Sequence, residues 1–336
     1  MTDMRKVEEG LPALYRKLCG SEASVGGFED ITVGWETQIV AFTLTQPVEA
    51  LDLVARIYSG SSGGMKAERE FNIMHRLASA GYPVPRVYSY EAGSETLGSP
   101  FIVMERIRGS TLWDIFFSSP KGKWGEVLAV NARLMAQLHR IPPAKVLPGF
   151  DSVRTRRRIL ARIDEESEEL DRYGLDGAFS PLTDWLRENV RGITESPSCI
   201  IHRDFHPRNI LLRQNGSPVV IDWATCTVGD YREDLCWTGL LAGTFIDEAL
   251  KRAVYDSYAK ASEREIFDLP YFEAYSCLRR LADVAVTAKA GASARGMRPE
   301  AVREIGDNKP HFERVVKEAT RITGEELSEL SRLISL

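Results

Sequence analysis

Short apolar runs alternate with turn residues between positions 199 and 222, in the sequence CIIHRDFHPRNILLRQNGSPVVID. Two apolar runs, residues 210–212 and 219–221, flank Asn215 and Gly216, and this arrangement predicts a hairpin with a tight turn. The polar residues 202–209 precede the hairpin and are predicted to form a loop. Asp222 directly follows the second strand, so the hairpin is expected to bring its carboxylate back toward that loop.

The rest of the chain divides into a part with strand patterns and a part with helix patterns. Short apolar runs predict strands at residues 31–33, 38–44, 51–58 and 101–104. Apolar positions that recur at helical spacing predict helices at residues 11–18, 65–78, 127–141, 180–190, 246–259, 271–288 and 310–334. The pattern therefore predicts an α/β (α+β) protein, with a sheet-rich part up to about residue 105 and a mostly helical part after it.

Composition excludes several classes of protein. The chain has 336 residues, 43% of them hydrophobic and 27% charged, with a net charge of −5. An acidic chain carries no footprint for nucleic acid or an anionic membrane, although a cationic substrate is compatible with it. No apolar run is long enough for a membrane span, and no apolar signal segment is visible. The five cysteines form no C-x-x-C pair, which indicates reduced thiols and a cytoplasmic location.

Three polar side chains in and after the loop have the chemistry of a metal–phosphate site. Asp204, Asn209 and Asp222 supply two carboxylates and an amide oxygen, which are the ligands that Mg²⁺ prefers when it is bound together with phosphates. In phosphoryl transfer one acid orients the attacking hydroxyl, while an Asn and an Asp hold the metal. The alternative is a metal site made of His202, Asp204 and His206 on a strand, but the polar run and the following proline disfavour a strand there.

These residues carry a resemblance to a known family. His202, Arg203 and Asp204, followed by Asn209, resemble the catalytic loop of the protein-kinase-like fold. The pairs His206-Pro207 and Asp222-Trp223 are similar to its small-molecule branch, the aminoglycoside phosphotransferase and choline kinase family. The resemblance implies a bilobal fold, with a nucleotide-binding lobe at residues 1–105 and a catalytic and substrate-binding lobe at residues 106–336. It implies ATP, with GTP as the alternative, and Mg²⁺ as cofactors.

The resemblance also assigns a cation and its partner to the nucleotide phosphates. Protein kinases have a lysine at the end of the third strand, where this chain has Arg56. Arginine keeps the charge and binds phosphate through a fork of N–H groups, although it is bulkier. Glu70 occupies the position of the helix glutamate that pairs with this cation, and Glu68 is the competing candidate on another face of the helix.

Four further positions are expected at the nucleotide on the basis of the resemblance alone. Gly34 lies in the turn expected to cover the phosphates, where it is the single glycine. Met104 is expected to border the adenine site. The backbone groups of Glu105 and Ile107 are expected to hydrogen-bond the adenine ring.

The resemblance implies that Asp204 orients the hydroxyl of a small acceptor and accepts its proton, while Asn209 and Asp222 hold Mg²⁺. Asp234 is expected to brace the catalytic loop, and His206 is either a phosphate contact or structural. A protein kinase is the second hypothesis, disfavoured because the Asp-Phe-Gly and Ala-Pro-Glu motifs are missing. The third is a nucleotide-binding module without catalysis, suggested by Arg56 and the glycine-poor turn. The sequence identifies neither the acceptor nor the oligomeric state.

Overall fold

The computed structural model describes residues 2–32, 37–60, 62–151, 153–295 and 300–335. Within these ranges the chain forms two compact units. The first contains Met1–Ser110 and the returning segment Leu211–Ala224. The second contains Thr111–Ile210, Thr225–Arg295 and Pro299–Leu336. The hairpin that carries Asp222 therefore belongs with the N-terminal unit, although it lies 100 residues further along the chain.

In the described part of the chain, ten strands form three sheets. The strands are β1 Ser24–Asp30, β2 Gln38–Thr45, β3 Ala50–Ile57, β4 Val87–Glu91, β5 Phe101–Glu105, β6 Gly109–Thr111, β7 Cys199–Ile201, β8 Ile210–Arg213, β9 Pro218–Val220 and β10 Thr227–Gly229. The largest sheet is antiparallel, with the strand order β1-β2-β3-β5-β4. The smaller sheets have the orders β6-β8-β9 and β10-β7.

The helices of the described residues lie mostly in the second unit. They are α1 Met4–Cys19, α2 Gly63–Ser79, α3 Leu112–Ser118, α4 Trp124–Arg140, α5 Pro143–Val146, α6 Thr155–Arg172, α7 Asp176–Asn189, α8 Tyr231–Phe245, α9 Glu248–Ser262, α10 Leu269–Ala290, α11 Glu300–Asp307, α12 Lys309–Thr323 and α13 Ser328–Ser335. None of them is long and apolar enough to cross a lipid bilayer.

The first unit has a core between its sheet and its first helix. Val7, Leu11 and Tyr15 on α1 are buried against alternate residues of the sheet, including Val40 and Phe42 on β2. Burial of this apolar face stabilises the unit, since each large apolar side chain contributes about 1.5 to 3 kcal/mol when it leaves water. The helix predicted at residues 11–18 is therefore confirmed as part of α1.

The predicted hairpin is present between β8 and β9. Gly216 has a φ of 80° and its N–H donates to the carbonyl of Arg213 (2.8 Å). The N–H of Arg213 donates to the carbonyl of Ser217 (3.0 Å). The N–H of Val220 donates to the carbonyl of Pro83 (2.8 Å), which ties the hairpin to the loop after α2. This attachment places the residues that follow β9 in the first unit.

Most predicted elements are observed with slightly different ends, and two predictions were wrong. The first strand is β1, Ser24–Asp30, and not residues 31–33: Ile31 and Thr32 are not in a strand, and Val33 lies outside the described residues. The two glycines of β1 interrupt the alternation of hydrophobic and polar residues, so its sequence does not predict a strand. The single helix expected at residues 310–334 is two helices, since Gly324 adopts a φ of 73° and ends α12.

Candidate active site

A buried cation on β3 contacts two carboxylates in the first unit. Arg56 has a side chain that is only 7% exposed. Its Nη1 lies 3.3 Å from Oε1 of Glu70, and its Nη2 donates to Oδ1 of Asp222 at 2.7 Å. Burial alone lowers the pKa of Arg56, but the charges of Asp222 and Glu70 outweigh burial and raise that pKa well above its usual value. Arg56 therefore remains a cation held between two acids.

Glu70, and not Glu68, is the helix glutamate that contacts Arg56, and the rest of its carboxylate is also bound. The hydroxyl of Tyr58 donates to its Oε2 at 2.5 Å, and the backbone N–H of Trp223 donates to its Oε1 at 3.2 Å. Burial raises the pKa of Glu70 above its usual value, although Arg56 opposes this shift. The helix α2, the strand β3 and the segment after β9 are thereby connected through one side chain.

Asp222 has an unusual backbone and a partly exposed carboxylate. Its φ is 68°, in the left-handed region that non-glycine residues rarely adopt, and its side chain is 39% exposed. Such strain is typical of functional positions. Arg56, Glu70 and Asp222 together contain one cation and two carboxylates, so the cluster has room for a further positive charge. The carboxylate oxygens of Asp222 are therefore suited to bind a divalent cation.

The expected adenine-binding segment forms the end of β5 and the residues after it. Met104 is buried, 8% exposed, and pairs with Val54 in the neighbouring strand. The N–H of Glu105 donates to the carbonyl of Arg86 (2.8 Å), and its carboxylate forms an ion pair with Arg213. Within the described residues, the N–H of Ile107 has no acceptor.

Gly34 lies outside the described residues. Its expected place in the turn over the nucleotide phosphates stays a prediction from the resemblance.

Asp204 lies in the loop between β7 and β8, in the second unit, and three side chains surround its carboxylate. The indole Nε1 of Trp237 donates to Oδ1 (2.9 Å), and Nε2 of His206 lies 3.2 Å from the same oxygen. Asn209 donates its Nδ2 to Oδ2 at 3.1 Å and to the backbone carbonyl of Asp204 at 2.9 Å. The carboxylate is thus fixed in one orientation, with 35% of the side chain exposed.

The surroundings of Asp204 favour its charged form. Burial by itself raises the pKa of its carboxyl, but the charge and hydrogen bond of His206 and the N–H of Trp237 outweigh it. The pKa of Asp204 is therefore held well below its usual value. A carboxylate in this state accepts hydrogen bonds and does not donate one at neutral pH.

Asn209 follows Asp204 by one short 3₁₀ turn, Pro207–Asn209. Because its Nδ2 donates to Asp204, its Oδ1 is the atom that remains for an acceptor role, and within the described residues no donor contacts it. An amide oxygen of this kind fits a magnesium ligand. The alternative zinc-type site has no support: among the described residues, no three His, Cys, Asp or Glu side chains form a group that could hold a metal.

A second carboxylate holds the backbone of the catalytic loop, as expected. Asp234 on α8 is fully buried and accepts hydrogen bonds from the N–H groups of His202 (2.8 Å) and Arg203 (2.7 Å). Its Oδ2 also contacts Nε2 of His139 at 3.2 Å, and Nδ1 of His139 contacts the hydroxyl of Tyr258 at 2.7 Å. This chain of bonds stabilises the loop, in which Arg203 has a φ of 70°.

Four side chains of these two clusters were not predicted from the sequence. Trp237 orients Asp204, Tyr58 binds Glu70, and His139 and Tyr258 support Asp234. Tyr58 lies two residues after Arg56, and side chains two residues apart in an extended chain point to the same side. This spacing could have predicted that Tyr58 lies near Arg56 and its partner. The other three approach the loop from distant helices, and no local pattern indicates such contacts.

Solved structures share this architecture over the full chain. A putative aminoglycoside phosphotransferase from Ralstonia eutropha JMP134 superimposes with a TM-score of 0.63 at 18% identity, covering 100% of this chain and 99% of that one. A thermostable mutant of aminoglycoside phosphotransferase APH(4)-Ia, in a ternary complex with ADP and hygromycin B, gives 0.59 at 16% identity, with 96% and 98% covered. The predicted fold class, a kinase-like α/β fold with a small antiparallel sheet unit and a larger helical one, is confirmed.

Residues 27–276 match the model of the phosphotransferase enzyme family, APH, and the chain belongs to this family. Curated relatives match about half of this chain. Acyl-CoA dehydrogenase family member 11 of Rattus norvegicus is 28% identical over 184 residues, which are 52% of this chain and 23% of that protein. N-acetylmuramate/N-acetylglucosamine kinase of Pseudomonas aeruginosa PAO1 is 27% identical over 169 residues, 47% of this chain and 45% of that protein. The chain thus spans less than half of the length of either relative.

Proposed function

We propose that this phosphotransferase transfers the γ-phosphoryl group of ATP to a hydroxyl group of a small molecule. The observation that carries the proposal is the state of Asp204, an ionised carboxylate fixed by Trp237, His206 and Asn209 at the position that matches the catalytic aspartate of the kinase-like fold. A small acceptor is favoured because no Ala-Pro-Glu segment of the peptide-binding kinases follows Asp222.

Asp204 orients the acceptor hydroxyl and accepts its proton. Because the transition state of phosphoryl transfer is loose, the proton moves late, and correct placement of the hydroxyl contributes more than basicity does. A low pKa suits this role, since the carboxylate is ready to accept a hydrogen bond at any pH near neutrality. His206 and Trp237 keep the carboxylate turned toward one direction and are positioning residues.

Asn209 and Asp222 would each supply an oxygen ligand to Mg²⁺, which would neutralise charge on the nucleotide phosphates. Arg56, steadied by Glu70, contacts the phosphates with its guanidinium group. By the same resemblance, Met104 would border the adenine and backbone groups of Glu105 and Ile107 would hydrogen-bond it. Gly34 is proposed to belong to the turn over the phosphates.

In this proposal residues 1–105 form the nucleotide-binding lobe and residues 106–336 the catalytic and substrate-binding lobe. ATP is the proposed donor, and GTP is the alternative that a nucleotide titration separates. The cytoplasm is the proposed location, since the five cysteines are free thiols.

The test is the variant Asp204→Asn, measured for acceptor phosphorylation and for ATP binding. The amide cannot accept the proton, so kcat is expected to fall about 100-fold or more, while the Kd for ATP changes little. Asp256→Asn, an exposed aspartate on α9, is the matched control and should keep wild-type kcat. Wild-type turnover in Asp204→Asn would show that another group serves as the base.

A further inference from the structure

Among the described residues, two arginines lack carboxylate partners, one in the loop of residues 202–209 and one on the neighbouring helix α10. Arg203 precedes Asp204, and Arg279 lies on α10; both are half-buried. Among the described residues, neither forms an ion pair with Asp or Glu, although most of the other buried arginines do. The Nε atom of Arg203 and the Nη1 atom of Arg279 are buried and have no hydrogen-bond partner within the part of the chain described. Buried cations without a counter-charge are costly, so a compensating anion is expected.

Arg279 is connected to Asp204 by two routes. Its Nη2 donates to the backbone carbonyl of Arg203 (2.8 Å), the residue next to Asp204. Its guanidinium carbon lies 4.6 Å from the ring centre of Trp237, whose Nε1 donates to Asp204. Arg279 and Asp204 are therefore separated by a single intervening residue along either route.

The local charge balance favours an anion. A third guanidinium, that of Arg280, acts electrostatically on Asp204 and donates its Nε to Nε2 of His311 at 3.1 Å. Burial and the charge of Arg280 lower the pKa of His311 to about 2. This imidazole is therefore neutral and does not offset the positive charge of the arginines. The carboxylates near these three guanidinium groups are those of Asp204 and Asp283. Glu233 also acts on Arg279, but it is ion-paired with Arg162.

The pKa of Arg279 agrees with this picture. Burial lowers it first, and the positive charge of Arg203 lowers it further. The guanidinium stays protonated at neutral pH, because its reference value lies far above that range. The protein therefore maintains two mutually repelling cations next to the catalytic carboxylate.

We propose that Arg203 and Arg279 bind an anionic group, a carboxylate or a phosphate, on the acceptor whose hydroxyl Asp204 orients. The inference rests on the proposed phosphotransferase function and specifies its substrate class: a hydroxylated anion, and not a cationic amino sugar. Arginine forks match both kinds of oxyanion. The net charge of the chain, which is compatible with a cationic substrate, does not describe this local site.

Matched acceptors test the substrate class. One series is glycerol, 3-amino-1,2-propanediol, glycerate and glycerol 3-phosphate; the other is glucose, glucosamine, glucuronate and glucose 6-phosphate. ATP consumption is measured for each, and kcat/KM should be highest for an anionic member. The carboxylate and phosphate members show which anion is preferred. A preference for a neutral or cationic member would overturn the inference while leaving the phosphotransferase function in place.

Variants of Arg279 separate binding from a purely structural role. Arg279→Gln should raise KM for the anionic acceptor about 10- to 100-fold, as expected for loss of a charged hydrogen bond, and Arg279→Lys should recover part of the loss. The exposed Arg133→Gln on α4 is the control and should keep wild-type KM. A fall in kcat alone, with KM unchanged in Arg279→Gln, would assign this arginine to the structure of the loop and contradict the proposal.

A binding measurement decides the matter even when no acceptor of the panel is phosphorylated. Inorganic phosphate, and separately acetate, is titrated into the wild type and into Arg279→Gln, and Tm is followed. Binding at the nucleotide-phosphate residues contributes equally to both proteins. The wild type should therefore gain more in Tm than the variant with at least one of these anions. Equal gains with both anions would refute the proposed anion site.

Discussion

Asp204 shows how single side chains determine the charge state and orientation of a carboxylate. Its carboxylate is partly buried, and burial opposes charge, yet the neighbouring imidazole and indole N–H reverse the effect and lower its pKa. The same neighbours restrict its orientation, since Oδ1 is bound by Trp237 and Oδ2 by Asn209. The residue is therefore prepared, before any substrate arrives, to accept a hydrogen bond from one direction.

The variant Trp237→Phe tests this orientation. It removes the N–H that binds Oδ1 of Asp204 and keeps an aromatic face toward Arg279. We expect kcat for acceptor phosphorylation to fall about tenfold, because a hydrogen bond to a charged group is lost. Steady-state kinetics measure the effect, with Trp185→Phe on α7 as the control that should leave kcat unchanged. An unaltered kcat in Trp237→Phe would remove Trp237 from the positioning role.

At this scale the sequence predicted the residues of the motif and not their supports. Asp204, Asn209 and Asp222 lie close together in the sequence. Their side chains are of the types that form a metal–phosphate site. Trp237 reaches Asp204 across 33 positions, and His139 reaches Asp234 across 95. Such contacts depend on how helices pack, and the helical patterns of α4 and α8 indicate only that each has a buried face.

Among the secondary-structure elements, the hairpin of β8 and β9 was predicted because its tight turn requires residues that adopt positive φ. Gly216 adopts positive φ, which glycine does at no steric cost. The strand β1 was not predicted, because its two glycines and three exposed polar positions give no alternation. A turn can be predicted from its own residues, whereas a glycine-rich edge strand is defined mainly by the strand that it pairs with.

Gly109 on β6 tests the close approach of two strands. A Cβ at this position would lie 1.8 Å from the carbonyl oxygen of Leu212 on β8, and backbone cannot move away as a flexible side chain does. Gly109→Ala should therefore lower the free energy of unfolding by about 1 to 3 kcal/mol. Gly192→Ala, where a Cβ would meet nothing within 4 Å, is the control and should change stability little. Urea unfolding compares the two; equal stabilities would contradict the strand geometry.

Asp234 on α8 connects that helix to the catalytic loop, and its stabilising effect should depend on pH. Burial raises the pKa of Asp234, but the hydrogen bond and charge of His139 outweigh burial, so its pKa in the folded protein lies below the usual value. A depressed carboxyl pKa contributes stability that is fully present above the unfolded value of about 3.9 and is lost as pH falls through the folded value.

Asp234→Asn should consequently lower Tm at neutral pH, and the difference from wild type should shrink as pH falls below about 4. Thermal unfolding followed by circular dichroism over a pH series measures it. Asp256→Asn, on an exposed face, should show a small difference that is constant with pH. A Tm difference for Asp234→Asn that stays the same across the series would mean that its charge does not stabilise the loop.

For the whole molecule, the accessibility of the thiols is a direct test of the packing. Cys199, Cys226, Cys236 and Cys277 are buried, and Cys19 is exposed. Burial raises the pKa of Cys199, Cys236 and Cys277 well above the usual value, which keeps these thiols protonated and unreactive. A thiol reagent should therefore label one cysteine in the native protein and all five after denaturation. Fast labelling of further thiols in the native protein would contradict the described core.

The fold of the whole chain was largely predictable, and the acceptor was not. The catalytic motif identified the family, and the family determines the sheet and the helical unit around it. In our proposal the acceptor class depends on Arg203 and Arg279, which have no ion-pair partner among the described residues. That absence becomes visible only when α10 is placed beside the loop. The acidic net charge indicated the opposite preference, because a sum over 336 residues says little about one site.

The central claim is that this protein moves the γ-phosphoryl group of ATP to an alcohol, and product analysis tests it most directly. Purified protein is incubated with Mg²⁺, ATP and the acceptor panel, and ADP and the acceptors are quantified by mass spectrometry. We predict one phosphorylated acceptor molecule for each ADP formed, and about 100-fold or more slower formation of both products with Asp204→Asn. ADP accompanied by inorganic phosphate, with every acceptor unmodified, would contradict the claim.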